Sequence, residues 1–161
     1  MSRPSELWKS LSADRKLSAA GAFWQDEGAF AEQAEAVALI TQRIKFRAKS
    51  LVKMPVVRKA QHLATLGGLS EALAARLLVS HHLEQQRPMM GRFLDLLGLA
   101  HQNGLIEEDS PESPPSDRLR TAATTLAAEH PREDVALYFS TLLWQDPETW
   151  ADLVDVPERA L

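Results

Sequence analysis

The chain has 161 residues, enough for one domain with a real core and an appendage. It is 45% hydrophobic and 25% charged, and it contains no cysteine, which excludes disulfides, thiolate metal sites and thiol nucleophiles. No stretch approaches the roughly 18 consecutive apolar residues that a membrane span needs, and the opening MSRPSELWKSLSADRK lacks the apolar core of a secretory signal. Cytoplasmic residence without a membrane partner is therefore expected. The net charge of −4 conceals an uneven distribution that matters more than the total.

Residues Ser5 to Leu11 are expected to form a short opening helix around Trp8. Ser12 then suits the N-cap of a helix to about Gln25, carrying Leu17, Ala20, Phe23 and Trp24. Beyond Gly28 the spacing of Phe30, Ala34, Val37, Ile40, Ile44 and Ala48 predicts an alanine-rich helix over about Ala29 to Arg47. Its acids come early and its bases late, as the helix dipole favours. The stretch from Arg43 to Ser50 alternates charged and apolar residues in the manner of a half-exposed strand. No partner strand lies nearby in the sequence, so helix or a frayed extended end is expected there. Pro55 opens a further helix to about Leu66, which Gly67 and Gly68 terminate.

The most regular patterning lies between Leu69 and Ile106. Ser70 caps a helix to about Gln86 whose apolar residues, Leu69, Leu73, Leu77 and Leu83 on one side and Ala74 and Leu78 on the other, predict burial on two faces. Arg76, Ser80, Glu84 and Arg87 run as a polar seam along that helix. A buried arginine needs a partner, so the seam either pairs internally or lines a groove for a polar ligand. Pro88 suits the first turn of the next helix, with Met89, Met90, Phe93, Leu94 and Leu97 on its apolar face. Gly98 is placed for a left-handed C-cap, and Asn103-Gly104 signals a turn.

After Ile106 the composition changes. Residues 107–117, EEDSPESPPSD, are acidic and rich in proline and serine, which predicts a linker. Two helices follow, Arg118 to Glu129 and Pro131 to about Trp144, and Asp146-Pro147-Glu148 opens a short last one to about Val154. Trp24-Gln25-Asp26 recurs as Trp144-Gln145-Asp146, an echo too short to exceed coincidence. The expected architecture is all-α, a multi-helix bundle of about seven or eight helices. Residues 1–106 form the main bundle, and 118–161 a C-terminal helical hairpin that packs on it or on a partner subunit.

Charge is the strongest functional signal. Between Glu35 and Glu71 there is no acid, yet Arg43, Lys45, Arg47, Lys49, Lys53, Arg58 and Lys59 all fall there, giving +7. From Glu107 onward thirteen acids oppose four arginines, giving −9. Such a cationic run either binds an anionic partner, meets the acidic part of the chain or of a second copy, or faces solvent. Phosphates are suitable ligands, since neutralising each releases counterions, and Phe46 offers a surface for base stacking. No helix-turn-helix, zinc-finger or RNA-binding signature accompanies the run.

The histidines are His62, His81, His82, His101 and His130. His81 and Glu84 share a helix face, but Glu-x-x-His and His-Glu-x-x-His are both absent, so no metal or cofactor is called for. His101 stands out because it lies on a loop, where function concentrates. Gly-x-Ser-x-Gly and phosphate-loop motifs are also absent, and no catalytic residue can be assigned. The expectation is a non-enzymatic interaction or scaffolding domain using the basic segment 43–59, with protein partners or self-association. The alternative is nucleic-acid or other polyanion binding through the same residues.

Overall fold

The structure, a computed structural model, describes residues 2–109 and 111–160; Ser110, inside the expected acidic linker, lies outside the described residues. The chain is 72% helical, with nine α-helices and one two-stranded sheet among the described residues. Among the described residues no helix is long and apolar enough to cross a membrane. Contacts gather the chain into two units, Arg3–Gln85 and Gln86–Leu161.

The first unit holds α1 (Pro4–Ser10), α2 (Ala13–Gln25), α3 (Phe30–Ile44), α4 (Ala48–Val52), α5 (Val56–Ala64) and α6 (Glu71–Gln85). Ser12 caps α2 by accepting the Arg15 N–H at 3.3 Å, and Ser70 caps α6 by accepting that of Leu73 at 3.1 Å. α2 packs against both α5 and α6, and its small buried residues Ala19, Ala20 and Ala22 let those neighbours approach closely. α6 is central, as its two apolar faces require: Leu73, Ala74, Leu77 and Leu78 are all wholly buried. α1 is tied to it through Ser5, whose N–H donates to Glu71 Oε2 at 3.1 Å.

Two expectations need correction in this unit. The helix expected to reach Arg47 stops at Ile44, because Lys45 adopts a left-handed conformation (φ 55°) that no α-helix continues through. Residues 45–47 are neither strand nor helix, and α4 begins afresh at Ala48. The buried side of α3 is also narrower than the spacing suggested. Ala36 and Ile40 are buried, whereas Phe30 is 79% exposed and Ala34 and Ala48 are exposed.

The second unit holds α7 (Arg87–Leu97), β1 (His101–Gln102), β2 (Leu105–Ile106), α8 (Ser116–Glu129) and α9 (Arg132–Gln145), followed by 3-10 turns at Ala151–Asp155 and Pro157–Arg159. The helix break falls one residue earlier than Pro88 suggests, at Gln86, and Arg87 is already helical. Gly98 ends α7 in the left-handed conformation (φ 71°), and Leu99 N–H returns to the Leu94 carbonyl at 3.0 Å. Met89, Phe93 and Leu94 share one core with Leu119 and Leu126 of α8 and with Val135 and Phe139 of α9. Phe93 is its hub, 4.9 Å from the Phe139 ring and 5.7 Å from Tyr138. α7 shares its core with α8 and α9, and by contact the chain divides at Gln85/Gln86.

The sheet was not expected. His101 and Ile106 pair antiparallel across Asn103-Gly104, whose positive φ values (50° and 88°) are those of a type I′ turn. The sequence signalled the turn, but its flanks are too short to show the alternation of strands.

Candidate partner-binding surface

The basic segment runs from the last turn of α3 through the connector and α4 into α5. Arg43, Lys45, Arg47, Lys49, Lys53 and Arg58 are exposed, and Lys59 is half-buried with its Nζ 4.8 Å above the Trp24 ring. Arg43 is fixed by its own fold: Nη1 donates to the Thr65 carbonyl at 2.6 Å, capping an unsatisfied carbonyl at the end of α5. The ion pairs Arg3–Glu6, Arg76–Asp26 and Arg92–Glu129 use none of the seven cations. Three large apolar side chains are exposed in the same segment, Phe46 (48%), Val52 (60%) and Val57 (66%).

The surface beside this segment is indented. A hollow of about 350 Å³, open to solvent, is lined by Leu39, Gln42, Arg43, Thr65, Leu66 and Gly67. A smaller one of about 90 Å³ shares Arg43, Thr65 and Leu66 and is closed by Ile40, Ile44 and His62. A third, of about 360 Å³, touches Thr65 from the α2 side, among Ala13, Asp14, Lys16, Leu17, Gln61 and Ala64. All three share Thr65, the C-cap of α5.

The polar seam does not form one site. Arg76 and Ser80 both turn to Asp26, the C-cap of α2, each at 2.6 Å from Oδ2, and Oδ1 accepts the Gly28 N–H at 2.9 Å. Burial pushes the Asp26 carboxyl up, but the Ser80, Arg76 and Gly28 hydrogen bonds outweigh it and hold the group below its ordinary 3.8. Gly28 leaves room for the guanidinium, since a Cβ there would lie 2.7 Å from Arg76 Nη2. Glu84 is exposed to solvent, and Arg87 belongs to the second unit, where Nη1 donates to the Asn103 carbonyl at 3.1 Å. Asp26 is the partner that sequence reasoning missed. Its only trace was an acid at a helix stop, two residues before a glycine.

His101 is half-buried against α7. The Gly104 N–H donates to Nδ1 at 3.1 Å, so the proton sits on Nε2, which donates to Asp95 Oδ1 at 2.7 Å. With Arg87 it fastens the turn to α7. A Cβ on Gly91 would lie 3.1 Å from His101 Cε1, a measure of how closely the two elements meet. His82 is buried, its Nδ1–H donating to the Leu78 carbonyl at 2.7 Å, and His81 lies edge-on to it at 5.4 Å. Among the described residues no three His, Cys, Asp or Glu side chains gather as a metal site would require.

The chain matches no family model, no curated protein and no solved structure.

Proposed function

We propose that the protein is a non-enzymatic, cytoplasmic interaction domain whose working surface is the basic segment 43–59, and that this surface docks an acidic region of a protein partner. One observation carries the proposal. Six of the seven cations are exposed, and Phe46, Val52 and Val57 are exposed among them. A phosphate backbone uses cations and donors but has no use for aliphatic side chains. A protein interface uses both, with apolar contacts at its centre and charges at its rim. In this reading residues 107–117 are an acidic linker ahead of a helical hairpin, 118–161, and a second copy is one partner whose acids meet the cations. Phe46, half-exposed beside Arg47, favours the second reading, in which the same residues bind nucleic acid with that ring stacked on a base.

Sedimentation across a concentration and salt series, run beside retention on immobilised duplex DNA, separates the two. The proposal expects association that weakens with salt and is lost on Lys45→Glu/Arg47→Glu/Lys49→Glu, with no comparable DNA retention. DNA retention that falls steeply with salt and disappears in the same triple variant would instead establish the nucleic-acid reading.

A further inference from the structure

We infer that the hollow between the first turns of α2 and the end of α5 is where a second copy of the chain docks, in a two-fold contact that pairs Asp14 of each copy with Lys16 of the other. The hollow, about 360 Å³ and open to solvent, takes Ala13, Asp14, Lys16 and Leu17 from α2; its other side, Gln61, Ala64 and Thr65, is uncharged. Unlike the two hollows beside Arg43, it presents more carbon than polar surface. Leu17 is its largest apolar side chain and is 38% exposed, so a neighbour that covers it takes wetted carbon out of water. The same face of α2 continues one turn on to Gly21, where a Cβ would meet nothing. Glycine inside a helix costs about 1 kcal/mol relative to alanine, and the packing of this chain does not call for it there. It leaves α2 flat beside Leu17, as the close approach of a second surface needs.

Charge identifies the occupant. The lining holds one acid and one lysine, so it has no preference for a strongly acidic or a strongly basic partner. It is complementary to itself. In a two-fold contact residue i meets j and j meets i, so both Asp14–Lys16 pairs form at once across one axis. Apolar contact at the centre with charges around it is how protein interfaces are built. The other charged side chains of α2 and α5 are Arg15, half-buried next to Asp14, and Arg58 and Lys59, the last held over the Trp24 ring. These cations oppose a second copy. Salt screens their repulsion along with the two pairs and leaves the apolar contact, so this association should change little with salt, whereas docking of acids on 43–59 weakens.

The test is sedimentation equilibrium of the full chain over ~10 μM to ~1 mM, with and without the Lys45→Glu/Arg47→Glu/Lys49→Glu changes. The triple variant removes docking on the basic surface, so the α2 contact is read by itself, and a dimer is expected in both backgrounds. In the triple background Leu17→Ser, Asp14→Lys and Lys16→Asp should each weaken that dimer by at least about tenfold, since every change acts twice across the axis. The decisive sample mixes the Asp14→Lys and Lys16→Asp chains. Each chain repels its own kind, but in the mixed pair both contacts join opposite charges, and association should return to within about threefold of the parent. Recovery on mixing also shows that both variants fold. A triple variant that stays monomeric throughout would overturn the α2 contact and leave the basic surface untouched. A dimer that none of the three changes weakens, or single variants that do not recover on mixing, would overturn it equally. Equal association of wild type and triple variant, with recovery on mixing, would uphold the α2 contact and sink only the basic-surface reading.

Discussion

A carboxylate that accepts hydrogen bonds from a guanidinium, a hydroxyl and a backbone amide while nearly out of water is costly to remove, because all three donors lose their acceptor together. Asp26 is in that position, so Asp26→Ala is expected to destabilise the first unit by about 2–3 kcal/mol in a urea titration. The Asp26 carboxyl is held below its ordinary value, so its contribution is present at neutral pH and is lost only below about pH 4. His82 acts in a higher window. Burial, and secondarily the neighbouring His81, lowers its pKa from 6.5 to about 4. The unfolded chain therefore binds the proton first as pH falls. The stability that His82 contributes is complete above pH 6.5 and declines toward pH 4, by about 3 kcal/mol. The stability difference between wild type and His82→Leu should narrow by that amount over this range, and a pH-independent difference would contradict the assignment. Neither residue's role was legible in the sequence. Arg76 announced that it needed a partner, but the partner lies fifty positions away, where no local rule points.

At the scale of elements, punctuation was legible and curvature was not. Ser12, Ser70 and Gly98 each act through a bond to a residue a few positions away, so their effect is written locally. The end of α3 is different: exposed Lys45 takes a left-handed conformation that lysine does not prefer, so nothing in its own chemistry marks the stop. The buried side of α3 was misjudged for a related reason. Periodicity marks which residues share a face but not which part of that face finds a neighbour. The hairpin supplies the sharpest test at this scale. Gly104 has φ 88°, and a Cβ there would lie 2.9 Å from the Arg87 carbonyl and 3.0 Å from Met90 Cβ. Gly104→Ala combines backbone strain with a clash and is expected to cost about 2 kcal/mol or more, read as a lowered melting temperature. Asn103→Gly, which keeps the turn type open, should cost far less.

For the whole molecule the charge distribution and the contact units coincide. Arg3–Gln85 carries twelve Lys and Arg against eight Asp and Glu, a net +4, while Gln86–Leu161 carries six against fourteen, a net −8. The charge asymmetry was visible in the sequence because charge belongs to residues; the exposure of the cations and the hollows beside them was not, because both are products of packing. The second unit has its own aromatic and aliphatic core around Phe93, so Gln86–Leu161 produced alone should melt cooperatively and bind an anion exchanger. A non-cooperative, molten fragment would show that the contact boundary is not a folding boundary. The break at Lys45 has a further consequence, for turnover. Residues 45–47 have no regular structure, and Leu51 is the one buried residue of α4. Opening this stretch exposes little apolar surface, so it frays at a small fraction of the cost of global unfolding. It also displays lysine and arginine side chains in an accessible backbone, and trypsin-like proteases should nick the native chain here first. The side chains that make the surface basic also make it the chain's scissile point.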